Sequence, residues 1–173
     1  MTIKNRIFIL GLIIMQLTGN SIMAQSKDIM EQYELKATFL IRFLDYVSWE
    51  NRAKNQTLKI AILEKCPITN SLLEIAKNKK IEVKEYENLD DLSYDNIIFV
   101  PYNCTVPIEK IVSKFSGKPV LIVTEHEGFG KKGAHMNFIM LDDKLKFEVN
   151  LKAIKKSGIG ISSFLLQHAI IVQ

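Results

Sequence analysis

The sequence predicts an α/β fold, a three-layer sandwich with a flavodoxin-like, mostly parallel sheet and a C-terminal β-hairpin. Three features point to it. Apolar runs at Leu58–Leu63 (LKIAIL), Asn96–Val100 (NIIFV) and Val120–Thr124 (VLIVT) alternate with segments of helical spacing, as parallel strands joined by crossover helices do. The last two runs carry no charge, as expected of strands buried on both faces. Near the end, Met136–Leu141 and Leu145–Asn150 flank Asp142-Asp143-Lys144 as the arms of a hairpin. At 173 residues there is room for one domain with a real core, and no linker or internal repeat marks a second.

Residues 1–24 read as a secretory signal peptide. Lys4 and Arg6 form the positive start, Ile7–Leu17 (IFILGLIIMQL) the apolar centre, and Ile22-Met23-Ala24 the cleavage site. The alternative is an uncleaved anchor, but this run falls well short of the ~20 residues that span a bilayer. No Cys adjoins the site, so it is not a lipoprotein signal. The expectation is export to the periplasm, cleavage after Ala24, and one α/β domain over 25–173.

Within that domain, residues 28–48 start at Asp28, a candidate helix cap, and carry Tyr33, Ala37, Leu40, Leu44 and Val47 at helical spacing, with Lys36, Arg42 and Asp45 off the stripe. Polar residues 50–57 end this helix. Strand Leu58–Leu63 comes next, then a short helix Asn70–Lys77 and an alternating strand Ile81–Tyr86. After Asn96–Val100, Pro107 opens helix Ile108–Phe115, a position that suits its fixed φ, and Gly117 stops it before Val120–Thr124. Beyond the hairpin, helices are predicted around Leu151–Lys156 and Ser162–Val172. Ser162 or Ser163 caps the last one, and Ile161, Phe164, Leu165, Ala169 and Val172 form its buried face.

Charge excludes one class of function. Without Lys4 and Arg6 the 23 basic residues fall to 21 against 19 acidic ones, a net charge of about +2. A domain so balanced has no electrostatic footprint for nucleic acid, and export separates it from DNA.

Cys66 and Cys104 lie just past the C-terminal ends of two strands that a doubly wound sheet sets side by side. Neighbouring strands are ~4.8 Å apart, within disulfide reach, so an oxidising compartment favours a Cys66–Cys104 bridge. Two free thiols or a redox pair are the alternatives.

The remaining motifs give structural readings first. Gly128-Phe129-Gly130-Lys131-Lys132-Gly133 fits G-x-G-x-x-G, yet the residues after it, Met136-Asn137-Phe138, open a strand. A glycine-shaped turn is therefore expected and a dinucleotide site is not. His126, His135 and His168 lack metal-ligand spacing, and no metal or other cofactor is implied. His168 falls near the apolar face of the last helix, where a hydrogen-bonded core histidine fits. Ser162-Ser163 lacks the nucleophile-elbow pattern and reads as a cap. Glu148 and Asn150 share one face of their strand, opposite Phe147 and Val149, with Asn137 on the facing strand. This cluster reads as one that holds the hairpin to neighbouring backbone; a ligand-contacting or acid–amide catalytic role is the alternative. Lys152, Lys155 and Lys156 form a solvated helix face on which an acidic partner could dock. No catalytic residue is identified.

A further pattern runs through the chain. Tyr33-Glu34-Leu35-Lys36-Ala37-Thr38-Phe39-Leu40 with Phe43 and Trp49 resembles the opening helix of the YfiR family. Gly117-Lys118-Pro119-Val120-Leu121 with Gly128-Phe129, and then Gly133–Phe138 (GAHMNF), resemble its central strand and loop. Phe147-Glu148-Val149-Asn150-Leu151 and Gly158–Leu166 (GIGISSFLL) resemble its closing stretches. The match is colinear over nearly the whole exported chain. Three departures stand out: Ala134 replaces a second Gly, Glu50 replaces a Pro after the Trp, and the cysteines sit beyond the strands.

The resemblance implies a periplasmic, non-enzymatic regulator. It would bind and repress the external sensor domain of an inner-membrane signalling protein, such as a diguanylate cyclase that makes cyclic-di-GMP. An outer-membrane lipoprotein that relieves repression is a second implied partner, and a homodimer is left open. The alternative from another class is a periplasmic small-molecule sensor with a cleft at the strand C-termini. A thiol oxidoreductase is the weakest reading, because no C-x-x-C is present.

Overall fold

The computed structural model describes residues 27–49, 56–93 and 96–173. The signal peptide, its cleavage site and the polar residues expected to end the first helix lie outside the described residues or at their margin. Helix α1 covers 27–46. Nine strands lie among the described residues: β1 Val47–Trp49, β2 Leu58–Leu63, β3 Ile81–Tyr86, β4 Ile97–Val100, β5 Leu121–Thr124, β6 Met136–Leu141, β7 Lys144–Asn150, β8 Ile159–Ile161 and β9 Ile170–Val172. The intervening helices are α2 Ile68–Ala76, α3 Ile108–Lys114, α4 Leu151–Ser157 and α5 Ser163–Leu166.

Seven strands form one sheet in the order β3-β2-β4-β5-β6-β7-β9. The first five in that order run parallel; β7 and β9 run the other way. β2 and β4 are neighbours, as the doubly wound pattern predicts. The chain turns back between them, so the loops after β2 and β4 leave the sheet side by side.

Strand alternation splits the core into two layers. Ile60, Ile62, Ile97, Phe99, Leu121 and Val123 face α1 and α2, whereas Ala61, Leu63, Ile98, Val100 and Ile122 face α3. All four residues of β4 and of β5 are buried, which fits sequences that carry no charge and one polar residue, Thr124. The α1 layer closes on a group of aromatic rings: Phe43 lies 5.9 Å from Phe138 and 5.3 Å from Phe147, and Phe39 lies 5.8 Å from Phe147. Burying a ring such as Phe43 contributes about 1.5–3 kcal/mol. This cluster docks the first helix onto the hairpin.

The hairpin turn is tighter than the three-residue link expected. Only Asp142 and Asp143 connect β6 to β7, with φ of 49° and 56°. Two left-handed residues in succession match the right-handed twist of the strands they join.

The chain departs from the predicted elements at both ends. The first helix stops at residue 46, and Val47–Trp49 instead pair antiparallel with Ile159–Ile161 as a separate two-stranded sheet. That pairing joins positions over a hundred residues apart, so no local pattern announces it. The long closing helix is also absent: α5 has four residues, and Ile170–Val172 form β9 against β7. Ser162 does cap α5, accepting from the Leu165 N–H. Tertiary pairing with an open strand overrides the apparent helical spacing of Leu165, Ala169 and Val172. Phe164, expected to be buried, is 53% exposed, and His168 is exposed with its Nδ1 2.9 Å from the Phe164 carbonyl. The core histidine is His135.

Candidate functional site

Three loops leave the C-terminal ends of β2, β4 and β5, and each carries a polar anchor. Glu125 comes directly after β5. Its Oε1 accepts from the backbone N–H of Tyr102, after β4, at 2.9 Å, and from the Tyr33 hydroxyl of α1 at 3.3 Å. Lys36 of α1 sits 2.5 Å from its Oε2, in an ion pair largely closed to solvent. Tyr33 and Lys36 are three residues apart, so they project from one side of the helix onto the same carboxylate. Burial, with the Glu125 charge adding to it, raises the Tyr33 phenol well above its ordinary value.

His126, the next residue, is held between two rings. Its ring stacks on Tyr102 at 4.4 Å and on Phe129 at 4.6 Å, and its Nε2 lies 2.6 Å from the Tyr102 carbonyl. Glu64, after β2, sits at φ 68°, a left-handed conformation rare for a side chain of its size. It accepts from the backbone N–H and the hydroxyl of Thr105, at 2.9 and 2.6 Å. Desolvation pushes the Glu64 carboxyl up, but the Thr105 and Cys104 hydrogen bonds outweigh it and hold the group below its ordinary range. Glu64 thus ties the β4–α3 loop to the end of β2.

The two cysteines occupy this same end but are separate thiols in the structure. Cys66 packs among the residues of the α1 layer, and Cys104 packs against the α3 layer. The sheet therefore lies between side chains expected to bridge. Adjacent strand ends bring their loops together, but the direction in which each loop folds sends the side chains apart. Burial raises both thiols, Cys104 to about 11, with Glu64 adding to the latter.

The cluster named from the hairpin sequence is assembled around a glycine. Asn137 donates to Glu148 Oε2 at 2.9 Å across the β6–β7 ladder and accepts from the Thr124 hydroxyl at 2.6 Å. Asn150 donates to the Gly130 carbonyl at 2.8 Å, and its side-chain oxygen caps α4 through the Ala153 N–H at 2.8 Å. A Cβ on Gly130 would stand 2.7 Å from Glu148 Oε2, so only glycine lets the loop approach so closely. The glycine motif is a turn, with Gly128 and Gly133 at φ 78° and 105°, and it leads into strand β6. No phosphate-holding helix opens there.

His135, behind this loop, is 5% exposed and accepts at Nδ1 from the Ile122 N–H at 2.9 Å. Burial drives its pKa down to about 4, so the ring is neutral at physiological pH. Among the described residues no three His, Cys, Asp or Glu side chains gather as metal ligands.

Hollows flank these groups. One of about 440 Å³ lies beyond the end of β5, lined by Lys36, Tyr102, Glu125, Glu127 and Glu148 over Phe138 and Met140. A larger one, about 660 Å³, runs between α1, the hairpin and α5, and is mostly apolar. Sequence reasoning alone misses Lys36, Glu125 and Tyr102. A usable signal is present: Glu125 is the first charged side chain beyond a buried strand, at the end where α/β sheets carry their sites.

A family model described as DUF4154: YfiR/HmsC-like matches residues 33–170. A search of curated proteins returned no significant match. Among solved structures, the chain is similar to a conserved domain protein from Vibrio cholerae O1 biovar El Tor str. N16961, with a TM-score of 0.56 and 12% identity. The alignment covers 82% of this chain and 60% of that one, and at such identity it speaks for the fold alone. No described helix is long and apolar enough to cross a membrane.

Proposed function

The chain belongs to the YfiR/HmsC-like family, and from that premise we propose that it is an exported, non-enzymatic regulator of an inner-membrane signalling protein. It docks on that protein's external sensor domain and holds it in its repressed state, a diguanylate cyclase being the partner class the family suggests. Such control requires tighter binding to one receptor state than to the other. Release by an outer-membrane lipoprotein is the matching second interaction. The observation that carries the reading is the family match over 33–170. The geometry supports it: Glu64, Glu125 and Asn150 are engaged in bonds that fasten loops in place, Asn137 bonds to both neighbouring strands, and a wide apolar surface stays uncovered.

The test is affinity capture. The protein, expressed from its full coding sequence with a C-terminal tag, is cross-linked briefly in cells and recovered from solubilised envelopes. Enrichment of an inner-membrane protein with an external sensor domain is expected. Recovery of none, with such proteins demonstrably present, would retire the docking function.

A second reading rests on the hollow of about 440 Å³ beyond β5, where three carboxylates and Lys36 surround an apolar floor. It suits a small amphipathic cation, and the protein would then act as a sensor. A ligand retained in native mass spectrometry would favour this reading.

A further inference from the structure

Strand β7 is only half covered on its outer side. Of its seven residues, Glu148, Val149 and Asn150 pair with Ile170, Ile171 and Val172 of β9, and on that side Lys144–Phe147 have no strand beside them among the described residues. The two-residue turn makes Leu141 and Lys144 the hydrogen-bonded pair that closes the hairpin. Bonding then alternates along the ladder, so the N–H and C=O of Leu145 and the N–H of Phe147 point away from β6, toward the gap. The unpaired backbone groups of an open edge can pair with another strand.

The gap opens into the apolar hollow of about 660 Å³, walled by Phe39, Phe43 and Tyr46 of α1 and by Phe164, which stacks on Tyr46 at 5.1 Å. The charged residues in its lining are Arg42 and Lys146, with His168 beside them, and it holds no carboxylate. Neither Arg42 nor Lys146 has an ion-pair partner among the described residues. Alternation also sets Lys144 and Lys146 on the face opposite Leu145 and Phe147, with Lys146 bordering the hollow at the strand edge. An added strand would therefore meet rings on one face and ammonium groups on the other.

We propose that an extended segment of a partner protein, alternating apolar and acidic residues, adds to the sheet beside Leu145 and Phe147. Its backbone takes up the open amide groups, its apolar side chains fill the hollow against Phe39, Phe43 and Phe164, and its carboxylates face Lys144 and Lys146. This rests on the docking function proposed above and names the surface that performs it. The chain's own apolar leader is a poor occupant, because Ile7–Leu17 contains no carboxylate.

The test uses a fluorescein-labelled peptide, Asp-Leu-Asp-Phe-Asp-Leu, and the purified protein. Anisotropy should show saturable binding, weakened about tenfold or more by the exposed charge reversals Lys144→Glu and Lys146→Glu together. Methylating alternate backbone nitrogens of the peptide should abolish binding, and amide exchange at Leu145 should slow when the unmodified peptide is bound. No saturable binding, or binding indifferent to both the reversals and the methylation, would overturn the proposal. So would a dimer in sedimentation that the same reversals split, since the edge would then belong to a second copy. Repeating the envelope capture with the doubly reversed variant separates the two levels of inference. Equal capture by variant and wild type removes this surface and keeps the regulator; capture by neither removes the regulator.

Discussion

Lys36 Nζ lies 2.5 Å from Glu125 Oε2, with only 12% and 3% of the two side chains exposed, and the pair joins residues 89 apart in sequence. It is the charged link between α1 and the end of β5. Removing one partner of a shielded pair leaves a buried charge behind, which typically costs about 3–5 kcal/mol. Lys36→Met is therefore expected to destabilise strongly, and Lys36→Met with Glu125→Leu to recover more than half of the loss. Urea unfolding of all four members of the double-mutant cycle measures this. A loss below about 1 kcal/mol for Lys36→Met would show the pair to be as weak as a surface one.

His135 makes stability fall in mild acid. Its folded pKa of about 4 lies below its ordinary value near 6.5, so between these values the unfolded chain binds a proton that the fold refuses. This cost is nil above about pH 6.5, grows as pH falls, and levels off below about 4 at roughly 3 kcal/mol. His135→Gln retains an acceptor for the Ile122 N–H without titrating. Its stability should decline less than that of the wild type between pH 6.5 and 4, measured by chemical denaturation at each pH. Parallel curves would show that the histidine does not set the slope.

Gly130→Ala forces the Glu148 carboxylate to move and give up its bond from Asn137, since the new methyl would lie 2.7 Å from Oε2 and 3.2 Å from Val172 Cγ2. Overpacking of this kind costs about 1–3 kcal/mol. Combining it with Glu148→Ala should restore part of the loss, because the nearer clash disappears. Thermal unfolding of the single and double variants decides; additive losses would place the strain elsewhere.

The two thiols should react unequally. Cys66 is buried and Cys104 half-buried, and burial raises both. In the folded protein Cys104 should be alkylated faster than Cys66, with a rate that climbs as pH rises toward about 11. Denaturation without reductant should then expose two titratable thiols per chain. No thiol under those conditions would establish a Cys66–Cys104 bridge, and with it a rearrangement of at least one loop across the sheet edge.

What the sequence determined alone was the central strands and the adjacency of β2 and β4. NIIFV and VLIVT read as strands buried on both faces, the helical segments between them as parallel crossovers, and a doubly wound sheet of that kind sets β2 beside β4. These signals are local, since periodicity and burial are written in neighbouring residues. That Asn137 and Glu148 face one another was legible for the same reason, because a hairpin fixes which residues pair. Only the tertiary structure decided that Val47–Trp49 pair with Ile159–Ile161, and that Ile170–Val172 become an edge strand. It likewise brought Glu125 to Lys36 and turned Cys66 and Cys104 to opposite faces. Each of these depends on a partner distant in the chain. A short segment such as Ile170–Val172 has too little local preference to choose a helix or a strand until β7 offers it open backbone to pair with.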